Sequence, residues 1–68
     1  MRIEQALELQ PGQVVRCPED RGQEGYAGRV EHRSDDVNET HDGRSKYVWV
    51  SVRHPRGHAS VWPSNRLS

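Results

Sequence analysis

The stretch "KYVWVSVRH" (46–54) constrains the fold more than any other part of the chain. Val48, Val50 and Val52 recur at every second position, alternating with Tyr47, Trp49, Ser51 and Arg53. Successive side chains of a strand point to opposite faces, so this alternation predicts a strand with a valine face buried and a Tyr-Trp-Arg face turned out. "PRG" then supplies a hairpin turn, and "HASVW" returns as the next strand.

The rest of the chain reads in the same short units. Pro11-Gly12 turns into a strand that begins at Val14-Val15 and ends before Pro18. Glycines at 22, 25 and 28 are costly in a helix but suit turns, bulges and bends. In the strand that follows, Tyr26, Gly28, Val30 and His32 share one face, and Ala27, Arg29, Glu31 and Arg33 the other. "SDDVNETHDGRS" (34–45) reads as a polar loop with an Asp42-Gly43 turn, and "PSNR" as a tight, three-ten-like turn before Leu67. Only "IEQALEL" has helical spacing, for a turn or two, with Ile3, Ala6 and Leu7 on one face. The expectation is an all-β fold: a small SH3-like antiparallel barrel of about five short strands over 11–68, after an N-terminal lead-in over 1–10. Its core would hold Val15, Val30, Val48, Val50, Val52, Val61 and Leu67.

With 68 residues, 31% apolar and no Phe, such a core is small. Below about 70–80 residues a domain commonly needs a disulfide, a metal or a partner chain. Cys17 is the single cysteine, which excludes an internal disulfide and leaves self-association as the simpler support. The N-terminal residues carry no apolar run, so a signal peptide or membrane span is not expected, and the cytoplasm is the expected compartment.

Net charge is zero, yet all ten acids lie in residues 1–42, and residues 43–68 carry five bases and no acid. This asymmetry fits either a basic contact surface or two halves whose charges interleave. His54 and His58 flank a predicted hairpin turn, without the close cysteine pairs or helical spacing that a zinc site needs. Cys17 has no visible base beside it, so a buried thiol is the expectation. We therefore expect no catalytic residues, no metal ligands and no cofactor. The candidate binding residues are Tyr47, Trp49, Arg44, Lys46, Arg53, Arg56 and Trp62. Exposed aromatics beside cations can stack nucleobases or anchor a protein. The same aromatics would also serve a subunit interface, or plug the open end of a barrel.

Three family resemblances bear on this choice. "VWPSNRL" resembles the closing signature of SH3 domains, but Arg66 stands where that family has its groove tyrosine. The resemblance thus implies the fold and not recognition of proline-rich peptides. Residues 12–30, "GQVV…RGQEGYAGRV", resemble KOW-type modules, which implies contact with RNA or RNA-handling machinery. Residues 12–67 are similar to the plasmid-borne type II dihydrofolate reductases, through Tyr47, His54-Pro55, Gly57, Trp62-Pro63 and Leu67. That similarity implies a homo-oligomer with a central pore, reducing dihydrofolate with NADPH. Ser60 and Trp62 replace the glutamine and tyrosine of the family's pore strand, and Cys17 falls near the place of its cofactor-steering lysine. The expected function is a non-enzymatic binding module for nucleic acid or a nucleic-acid-handling protein. The reductase-like oligomer and a protein adaptor are the alternatives.

Overall fold

The computed structural model describes all of residues 1–68. Its strands are β1 (Val14–Cys17), β2 (Tyr26–Arg33), β3 (Asn38–Glu39), β4 (Lys46–Tyr47), β5 (Trp49–Arg53) and β6 (Ala59–Pro63), preceded by a single helical turn, α1 (Ile3–Ala6). Four of them form an antiparallel sheet in the order β1-β2-β5-β6, and β3 pairs with β4. The all-β expectation holds, with six strands in place of about five.

The extra strands arise because "KYVWVSVRH" does not run as one strand. At Val48 the chain passes from one sheet to the other, and its backbone pairs with the three-ten turn Ser64–Arg66 instead of a strand. Val48 N–H donates to Ser64 Oγ (3.0 Å), and Ser64 N–H donates to the Val48 carbonyl (2.9 Å). Both residues are fully buried, so each bond satisfies a group that water cannot reach. Within the predicted polar loop, Asn38–Glu39 pairs with Lys46–Tyr47. The intervening turn is held by Asp42 Oδ1, which accepts from Thr40 Oγ1 (2.7 Å) and Arg44 N–H (3.1 Å). These bonds hold the Asp42 carboxyl below its ordinary pKa.

The inner face of the larger sheet supplies most of the core. Val15, Val30, Val48, Val50, Val52 and Leu67 are buried as expected, together with Cys17 and Trp62. Val61 is not, being 63% exposed. In the β5–β6 register Trp62 lies opposite Val50, and Val61 opposite Ser51, so the inward place belongs to the tryptophan. His32 also leaves the predicted inner face. The register shifts between Val30 and His32 against β5, and this bulge reverses the alternation beyond Glu31. At the N-terminus Ala6 is buried, but Leu7 is exposed and Leu9 takes the inward place. The helix stops after Ala6, and the spacing that would seat Leu7 stops with it.

The lead-in thus shares the core, and the Met1 ammonium donates to the Leu67 carbonyl (2.6 Å). After the three-ten turn the chain returns to β1: Arg16 N–H donates to the Ser68 carbonyl (2.7 Å), and Ser68 N–H to that of Arg16 (3.1 Å). These bonds cover part of an edge that would otherwise be open to pairing with another chain. No helix is long and apolar enough to cross a membrane.

Candidate functional site

Because Val15, Val30, Val50, Val52 and Trp62 point inward, their neighbours form the outer face of the four-stranded sheet. Arg16, Arg29 and Arg53 stand there with Trp49 and Val61. Trp49 is 44% exposed, and the ring of half-buried Tyr47 meets it edge-on at 5.4 Å, which restricts how the indole can tilt. Arg53 follows Trp49 by four positions along β5, about 13 Å of strand. Between them Ser51 sits opposite Val61 of β6.

Arg53 lies directly across from Arg29 of β2. Like charges in that position repel, and each guanidinium is steadied by an acceptor. Arg53 Nε donates to Glu31 Oε2 (2.7 Å) and its Nη1 to the Gly57 carbonyl, while Arg29 Nη1 donates to the Gly12 carbonyl (2.9 Å). The face therefore carries three guanidinium groups against one carboxylate, that of Glu31. An exposed ion pair of this kind contributes about 0–1 kcal/mol, so Glu31 orients Arg53 more than it stabilises the fold.

The other predicted residues are dispersed. Arg44 lies in the 40–45 turn, 3.9 Å from Asp42, and Lys46 is in register with Glu39. Arg56 lies in the turn between β5 and β6. Arg44, Arg53 and Arg66 each meet an acid of the first 42 residues, namely Asp42, Glu31 and Asp20. For these three the interleaved reading of the charge holds; Lys46 and Arg56 stand without an ion-pair partner. Trp62 does not join Tyr47 and Trp49. Its indole N–H donates to the Tyr26 hydroxyl (3.0 Å), and the Arg66 guanidinium lies 5.3 Å from its ring centre. Trp62 thus belongs to the buried core.

Behind Trp62 lies a second cluster. Tyr26 packs on His54 at 4.2 Å, and His54 stacks on His58 at 4.4 Å, beside a cleft of about 200 Å³ that Asp20 and Ser60 also line. His54 Nδ1 accepts the Arg56 N–H (3.0 Å), which requires that nitrogen to be unprotonated. Partial burial, then the neighbouring His58 and Arg56, hold the His54 pKa below that of a free imidazole. Burial raises the pKa of Cys17, opposed by its hydrogen bond with Tyr26, and burial raises that of Tyr26 too. No three His, Cys, Asp or Glu side chains come together in a metal-binding arrangement.

Arg16, Arg29 and Val61 were missed as surface residues of interest. Charge counted by halves of the chain hid the first two, although the alternation of β1 and β2 already turned them outward. Val61 reads as a core residue from its aliphatic side chain alone, and only the register with β5 gives the inward place to Trp62. Compared with known proteins, the chain matches no family model, no curated protein and no solved structure.

Proposed function

We propose that this protein is a non-enzymatic, SH3-like binding module of the cytoplasm that contacts single-stranded nucleic acid through the outer face of its four-stranded sheet. The SH3-like reading is supported by the strand order, and by the three-ten turn after β6 that returns the chain to β1. The functional reading rests on one observation: an exposed Trp49 shares a sheet face with Arg29 and Arg53. An aromatic platform stacks any unpaired base, worth about 1–3 kcal/mol per base, while guanidinium groups take the backbone phosphates. Single strands are favoured over duplex because their bases are free to reach the indole. Lys46 precedes β5 by three residues and Arg56 follows it by three, and both add positive charge for electrostatic attraction.

Titration with an oligothymidylate of about eight nucleotides at low salt tests this. Trp49 fluorescence should be quenched, and Trp49→Phe should remove the signal. Two or three phosphate contacts predict a log–log salt slope of about −1.5 to −2. Unchanged fluorescence with DNA and RNA single strands alike would overturn the reading.

The exposure of Val14 (56%) and Val61 (63%) on the same face favours a second reading, in which that face is buried between copies of the chain. It keeps the oligomeric architecture of the reductase-like alternative, while Ser60 and the inward Trp62 leave its folate site without equivalents. Sedimentation separates the two: the module is a monomer without ligand, and the assembly is not.

A further inference from the structure

Arg29 and Arg53 also flank a cleft of about 370 Å³, walled by Val14, Ala27, His54 and Pro55. We propose that this cleft is a phosphate-binding subsite, with the two guanidinium groups as its anion clamp. The inference deepens the nucleic-acid reading and rests on it for the biological source of the phosphate, but the subsite has evidence of its own.

That evidence is the donor count. A guanidinium carries five N–H groups. Arg29 spends one on the Gly12 carbonyl, and Arg53 spends two, on Glu31 and on the Gly57 carbonyl. Seven N–H groups are left without a protein acceptor on the two side chains that line the cleft, and Glu31 neutralises only one of the two cations. The anchoring acceptors also restrain the two side chains, which lessens the ordering needed when an anion arrives. A carboxylate offers two acceptor oxygens and about four lone-pair positions. A phosphate group offers more acceptors in a tetrahedral array, and it matches two forks approaching from neighbouring strands. The apolar wall made by Val14 and Pro55 suits a phosphate attached to an organic body, and Trp49 lies about 13 Å away along β5, within reach of the same strand of nucleic acid.

The test uses inorganic phosphate, acetate and the oligothymidylate with the full chain, followed by the arginine Nε–H signals in proton–nitrogen NMR. Phosphate should shift the Arg29 and Arg53 signals saturably, and more strongly than acetate. Arg29→Gln should weaken that response by about tenfold or more, as expected for loss of charged hydrogen bonds. Arg29→Lys keeps the charge without the fork and should recover only part of it. Trp49→Phe should leave the phosphate response intact while weakening oligothymidylate binding. Non-saturating shifts, or equal responses to phosphate and acetate, would overturn the subsite. So would an unchanged phosphate response in Arg29→Gln, an outcome that leaves the module reading standing. A saturable phosphate response without any oligothymidylate binding would do the reverse, supporting the subsite and removing the nucleic acid.

Discussion

Replacing Ser64 by alanine removes a single oxygen, and the consequence follows from where that oxygen sits. Ser64 Oγ accepts the Val48 N–H at 3.0 Å, in a place where both residues are fully buried. Alanine fits the same space but leaves the Val48 N–H without a partner. A buried donor stranded in this way costs about 1–3 kcal/mol. A domain of this size has a total stability of about 3–10 kcal/mol, so the loss is a large share of the whole. With a urea m-value of about 1 kcal/mol/M, the unfolding midpoint should fall by about 1–3 M at unchanged m. The melting temperature should fall by about 5–20 °C. Hydrogen exchange gives a local check, because the Val48 amide should lose more protection than amides of β2. A change below about 0.5 kcal/mol, with Val48 still protected, would mean that this crossing between sheets does not depend on Ser64.

Three further outcomes follow from the same geometry. Gly28→Ala places a Cβ 2.5 Å from Val52 Cγ1 and 2.7 Å from the Arg53 carbonyl; urea unfolding should show a loss of about 1–3 kcal/mol or more. Cys17 is fully buried with its thiol pKa raised, so iodoacetamide at mildly alkaline pH should modify it only as fast as the protein opens, and the rate should follow the urea unfolding curve. The folded-state pKa of His54 is depressed, so between that value and about 6.5 the unfolded chain binds the extra proton. Stability should therefore be fully present above about pH 6.5 and fall as pH drops through the folded pKa, and His54→Gln should flatten that dependence in melting curves.

The strands were legible because their alternation is local. Val48, Val50 and Val52 needed only a period of two to be placed in the core, and the turn residues marked where strands end. What escaped depended on contacts distant in sequence. The bulge at Glu31 exists only against β5, so it could not be read from β2 alone, and it carried His32 to the outside. The break at Val48 depends on Ser64, sixteen residues further on. The exchange of Val61 for Trp62 had the same origin, since β6 takes its facing from the register with β5. At the candidate site, Trp49, Tyr47 and Arg53 were visible as one outward face. The opposition of Arg29 to Arg53 was not, because it is created by pairing two strands that a long loop separates.

The most direct test of the binding face is a residue-resolved NMR titration with oligothymidylate at low salt. The account predicts that shifts concentrate on the Trp49 indole, Val61, Arg29 and Arg53, while the Trp62 indole, bonded to Tyr26, stays in place. Shifts centred on the Tyr26–His54–His58 cleft, or none at all, would contradict it.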